Sequence, residues 1–131
     1  AEKSAGAIEV QVYAGGQLGS ERECVELLQI GGLGMTKASS AALENFAPEY
    51  RVFGLPFLFR DDAHRWAALD GAVGREILGA AEGRFLKGLC YYDAGTRSFY
   101  TVGRRVERPE DLAGLKIRTQ ESQMAFRMVR A

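Results

Sequence analysis

Apolar Ile8, Val10 and Val12 alternate with polar Glu9 and Gln11 across residues 7–13. That period of two predicts a strand with one buried face. After the Gly-rich stretch 14–19 the period lengthens. Cys24, Leu27 and Leu28, with Val25 beside them, recur at helical spacing and predict a helix to about Ile30. Ser20 and Glu23 stand in the S-x-x-E relation of a capping box at its start, and Gly31-Gly32 ends it. Residues 33–38 predict a short strand. Ser39 and Ser40 can cap a brief helix through Glu44, which Pro48 limits. Residues 52–59 are the most apolar segment, but Gly54 and Pro56 argue against a regular central strand. They predict a buried connection that packs aromatic rings into the core, with an exposed aromatic binding patch as the alternative.

Asp61-Asp62 caps a predicted helix that carries His64, Trp66 and Leu69 and breaks at Gly71. Val73, Ile77 and Leu78 mark another helix to about Glu82. Residues 87–93 and 97–102 predict two strands in line, joined by a flexible Ala94-Gly95-Thr96. Such a joint suits a chain that leaves one sheet and enters another. Pro109 opens a single helical turn with Glu110 and Asp111 in it. Gly114 suits a left-handed stop, and Leu115 and Ile117 then alternate with Lys116 and Arg118 as a short strand. A last helix places Met124, Ala125 and Met128 on one face and Phe126 elsewhere. Strands alternating with helices predict the α/β class with a largely parallel sheet.

Composition narrows the partners. The 131 residues hold 17 Lys+Arg and 17 Asp+Glu, a formal net charge of zero. Neither nucleic acid nor an anionic membrane surface is implied by that balance. No apolar run approaches the roughly 18 residues of a membrane-spanning helix. The start at Ala1-Glu2-Lys3-Ser4 lacks the pattern of a signal peptide, and the end has no helix stop. That start fits a cytosolic protein, a processed one or a piece cut from something longer, and the abrupt end reads as a cut rather than a natural terminus. Cys24 and Cys90 read as small buried hydrophobes, although an oxidising compartment could pair them. With a single histidine, His64, no metal site is expected.

The candidate chemistry is sparse. Asp61-Asp62 and Glu110-Asp111 sit at predicted helix starts, where acids are favoured without any catalytic role. The Gly-rich loop 14–19 lacks the Lys-Ser/Thr of a phosphate cradle. Ser39 and Ser40 have no G-x-S-x-G elbow, so a hydrolytic triad has no support. Two arginines remain: Arg97, just after the Gly95 joint, and Arg118, at a strand's carboxyl end, where α/β folds bind ligands. Two guanidinium forks converging on one cleft would suit a small carboxylate and favour a binder over a catalyst.

Several short runs carry a resemblance. They are Ser4-Ala5-Gly6-Ala7-Ile8-Glu9-Val10 with Gly16-Gln17-Leu18-Gly19, Gly54-Leu55-Pro56-Phe57-Leu58-Phe59-Arg60, Gly95-Thr96-Arg97, and the run from Pro109 to Arg118. In their order and spacing the chain resembles the DctP-like solute-binding proteins of TRAP (tripartite ATP-independent periplasmic) transporters. The resemblance spans essentially the whole chain but less than half of a family member. It implies a periplasmic-binding-protein-like fold of two α/β lobes. Residues 1–94 would form part of lobe one, and residues 95–131 the beginning of lobe two. It implies no enzyme and no cofactor. The implied work is capture of a small organic acid in the periplasm and its delivery to TRAP membrane subunits, the chain itself not spanning the membrane. By resemblance, Arg118 is the carboxylate-binding arginine and Arg97 a second pocket arginine. Ser39 stands where some members have an acid, which leaves the ligand class open. Glu21, like Ser20, lies where some members touch ligand. Arg108 replaces the Thr or Ser that usually caps the following turn. A sensor's ligand-binding domain and an α/β enzyme acting on an anion are the alternatives. The 131 residues alone are expected to bind weakly, because much of the second cleft wall lies beyond them.

Overall fold

The computed structural model describes residues 2–130. Among these residues five α-helices follow one another: α1 (Glu21–Gln29), α2 (Ser40–Leu43), α3 (Asp62–Leu69), α4 (Ala72–Gly79) and α5 (Gln123–Arg130). Short 3₁₀ segments stand between them, the longest at Pro48–Gly54 and another at Pro109–Leu112.

The helix starts are where local chemistry puts them. The Ser20 hydroxyl accepts from the Glu23 amide at 3.3 Å, and the Glu23 carboxylate accepts from the Ser20 amide at 2.7 Å. Both halves of the capping box therefore exist. Asp61 Oδ1 accepts from the His64 amide at 2.7 Å to open α3. Pro109 opens its turn as expected. The hydroxyl cap lost with Arg108 is replaced from the other side. Asp111 Oδ2 reaches back to the amides of Glu107 and Arg108, each at 3.0 Å. Those amide bonds hold the Asp111 carboxyl below its usual range.

The core gathers Val25 of α1, Ala47 and Tyr50 around the start of Pro48–Gly54, and Ala81 and Leu86 beyond α4. Leu28, Leu43, Phe46, Phe53 and Ile77 pack against them. Full burial of Val25 contributes on the order of 1.5–3 kcal/mol. A ring series Tyr50–Phe53–Tyr91 runs through this region, with centroids 6.2 and 5.7 Å apart. Both tyrosines end on carbonyls of α4. Tyr50 donates to Leu78 O at 3.2 Å, and Tyr91 to Gly74 O at 2.6 Å. Gly74 is itself buried. A Cβ there would lie 1.9 Å from the Leu69 carbonyl oxygen, so only glycine lets α4 meet the end of α3 this closely. Arg65 on α3 pairs with Asp93 at 2.7 Å and so ties the helices to residues 87–93.

The strands differ from expectation. Among the described residues none joins a β-ladder, and the stretches 7–13, 33–38, 87–93, 97–102 and 115–118 run as irregular backbone. The alternation at Ile8, Val10 and Val12 is real, yet these side chains are 60%, 58% and 80% exposed. Period two marks a face that wants cover; it does not supply the neighbouring edge that a ladder needs.

Smaller corrections follow the same logic. Residues 52–59 divide: Phe53 reaches the core, while Phe57 is fully exposed with φ +57°. Cys24 is half-buried, but Cys90 is exposed rather than a core residue, and both thiols are free. His64 is a satisfied group near the surface, its Nδ1 accepting from the Arg60 amide at 3.3 Å. On α5 the inward positions are Met124, Ala125 and Val129, and Met128 points outward with Phe126.

Burial pushes the Tyr91 hydroxyl up to about 12. Between about pH 10, the ordinary tyrosine value, and about pH 12 the folded chain holds a proton that the unfolded chain has lost. Stability is therefore expected to be full below pH 10 and to fall across that window. Urea unfolding at stepped pH measures this, and Tyr91→Phe should flatten the fall. An equal slope in both proteins would sink the assignment.

Candidate functional site

The first cluster is built at the start of α1. The capping box turns Glu23 back onto Ser20, leaving Glu21 to face residues 37–39. Glu21 Oε2 accepts from the Ser39 hydroxyl at 2.6 Å and the Ser39 amide at 3.0 Å. Its Oε1 accepts from Lys37 Nζ at 2.9 Å. Burial by itself raises the Glu21 carboxyl, but the bonds from Ser39 and Lys37 and the lysine's charge outweigh it. The net position is below the ordinary value, so Glu21 is held as a carboxylate.

Ser39 is fully engaged as a donor. Its hydroxyl proton goes to Glu21, and its oxygen accepts from the Ala42 amide at 3.3 Å as the cap of α2. One residue thus links two helix starts. The cluster remains open to solvent at its Lys37 and Glu21 side chains, which are 64% and 38% exposed. Lys37 was not singled out from the sequence.

The second region lies along residues 99–117. A cavity of about 250 Å³ is lined by Phe99, Thr101, Arg104, Leu112, Leu115 and Ile117, among others. The Thr101 hydroxyl donates to the Arg104 carbonyl within this wall. Gly114 at φ +74° turns the chain, and the Leu115 amide donates to Leu112 O at 3.1 Å. Arg118 follows directly on the lining residue Ile117. Arg118 and Arg97 are both exposed, and among the described residues neither makes an ion pair or a hydrogen bond. The structure therefore joins Glu21 to Ser39. Among the described residues no hydrogen bond or ion pair joins either arginine to that pair or to the other arginine. A larger cavity of about 420 Å³ along α1 is lined by Glu23 and Glu26, charges of the wrong sign for an anion.

Among the described residues no group of three or more His, Cys, Asp or Glu could hold a metal ion. No helix among them is long and apolar enough to cross a membrane.

Comparison with known proteins adds the following. The DctP family, described as "Bacterial extracellular solute-binding protein, family 7", matches over residues 1–131. A solute-binding protein of Verminephrobacter eiseniae is 41% identical over 121 residues, covering 92% of this chain and 36% of that protein. Two crystal structures are similar. A TRAP periplasmic solute binding protein from Xanthobacter autotrophicus Py2 with bound β-D-galacturonate has 40% identity and a TM-score of 0.92. Another, from Polaromonas sp. JS666, is bound to D-erythronate, with 32% identity and a TM-score of 0.93. Each match covers 98% of this chain but 43% of the solved one. The chain thus spans well under half the length of these relatives.

Ser39→Ala is expected to remove both the α2 cap and the shortest bond to Glu21. Loss of the cap alone costs about 0.5–2 kcal/mol, readable in urea unfolding. The Glu21 carboxyl should also rise toward its ordinary value, as ¹³C NMR of the side chain would record. Because its folded value is depressed, Glu21 stabilises above the ordinary value, and that contribution is lost as pH falls through the folded one. In Ser39→Ala this acid-side loss should shrink. An unmoved Glu21 titration would contradict the linkage.

Proposed function

The chain belongs to the bacterial extracellular solute-binding proteins of family 7, and from that premise we propose that it forms the ligand-facing front of a two-lobe α/β binding protein. Residues 1–94 make part of the first lobe, and residues 95–131 begin the second. The unladdered stretches lend support. The chain overlays the two solved relatives at TM-scores of 0.92 and 0.93 while carrying apolar alternation with no paired edge. In the proposed lobe, the strands would pair with chain in the length these relatives have and these residues do not span.

The work proposed is capture of a small organic acid in the periplasm and its delivery to TRAP membrane subunits, without chemical conversion. The observation that carries this reading is Arg118. Its side chain is exposed and, among the described residues, unpaired, and it follows directly on Ile117, which lines the 99–117 cavity. An unpaired fork has its five N–H groups free for a planar anion and can take a carboxylate bidentately. Arg97, also without a partner among the described residues, is proposed as a second cation for the same ligand. Glu21 and Ser39, already bonded to each other, suit hydroxyl groups of a ligand better than its carboxylate, because the cluster's outward charge includes an anion. The β-D-galacturonate and D-erythronate in the similar structures fit a carboxylate ligand of this kind.

Arg118→Lys is expected to weaken binding of galacturonate or erythronate by about 10- to 100-fold, since a bidentate charged contact becomes a point charge. Calorimetry on the whole protein that carries these residues measures it. Equal affinities in the two proteins would refute the assignment of Arg118.

A further inference from the structure

Glu44 is an acid in a place where acids are rarely left. It stands at the end of α2, and only 2% of it is exposed. Ser122, 78 residues away in sequence, is 4% exposed. The Ser122 hydroxyl donates to Glu44 Oε2 at 3.0 Å, and the Gln123 amide donates to Oε1 at 2.6 Å. Among the described residues no lysine or arginine pairs with Glu44. Compensation for the buried carboxylate comes from the start of α5, whose free amides carry partial positive charge. Ser122 completes that start. Its hydroxyl oxygen accepts from the Ala125 amide at 3.2 Å, and its carbonyl from the Phe126 amide at 3.1 Å.

A close packing contact sits beside these bonds. A Cβ on Gly54 would lie 3.0 Å from Met124 Cβ, so α5 rests directly on the Pro48–Gly54 segment. The link from α5 back to Arg118 is short and itself bonded. The Ser122 amide donates to Gln120 O at 2.8 Å, and the Thr119 hydroxyl donates to the same carbonyl at 3.1 Å. Three residues, ending in a tight turn at Glu121, separate Arg118 from the buried Ser122.

We propose that Glu44 is the positioning residue of Arg118: its carboxylate fixes Ser122 and Gln123, and through that turn it sets where the guanidinium stands relative to the helical body. The contact crosses the boundary proposed between the lobes. The inference rests on the reading of Arg118 as the carboxylate clamp, but its first half can be judged without any ligand.

Two readouts test it in the whole protein: hydrogen exchange of the Gln123 and Phe126 amides, and calorimetric affinity for galacturonate. Glu44→Ala should speed exchange at Gln123 about 10-fold or more and weaken binding by a similar factor. Glu44→Gln keeps an acceptor oxygen without the charge and should recover part of both. Where Glu44→Ala does not fold, Ser122→Ala removes one of the two bonds and carries the same readouts. Unchanged protection of Gln123 would overturn the anchoring. Lost protection with unchanged affinity would overturn the positioning role while leaving the anchor. If Arg118→Lys binds as tightly as the parent, the clamp reading fails, and exchange at Gln123 still decides the anchor.

Discussion

The structure depends on a helix too short to stand by itself. Four residues, Ser40–Leu43, make α2, well below the length at which a helix is stable in water. It exists because both ends are held by side chains and its middle lies against the core. At its start Ser39 bonds to Glu21 of α1. At its end Glu44 bonds to the first amide of α5. Between them Leu43 packs toward Val25, Ala47 and Tyr50. One helical turn therefore fixes the relative placement of α1, the Pro48–Gly54 segment and α5.

That arrangement separates two kinds of polar group. Glu21, Ser39 and Lys37 satisfy one another, and the pair of charges sums to zero. Glu44 is satisfied by a hydroxyl and an amide and is hidden from solvent. Arg97 and Arg118 are the reverse, exposed and without partners among the described residues. Carboxylates that are already bonded stiffen the frame. Cations left unbonded on that frame are free to meet an anion, and little protein bonding must be broken when they do.

Legibility in the sequence followed the range of the interaction. The Ser20–Glu23 capping box, the Asp61 cap and the Pro109 turn each depend on residues three or four apart, and each formed as read. The family resemblance was carried by short runs in order and found its match over residues 1–131. The ladders were not legible, since alternation at residues 7–13 gives a face but no neighbour. Phe57 was misplaced because composition cannot tell which of several aromatic residues in one run turns outward. Within the candidate site, Glu21 and Ser39 came from resemblance, and the structure joins them. Lys37 was not singled out. Glu44 had no local signal, because its partner lies 78 residues on.

The absence of ladders and the burial of Glu44 bear on each other. Residues 115–118 lack a paired edge, so backbone bonding within this chain does little to fix the direction in which Arg118 emerges. What fixes it here is side-chain bonding just beyond, at Ser122 and Gln123, together with the Gly54–Met124 contact. A buried carboxylate is a poor general source of stability, since its desolvation offsets most of what its bonds return. It is a good source of registry, because α5 satisfies it only when seated at the right depth and turned the right way. Glu44 is therefore better understood as setting the position of α5 than as strengthening the core it sits in.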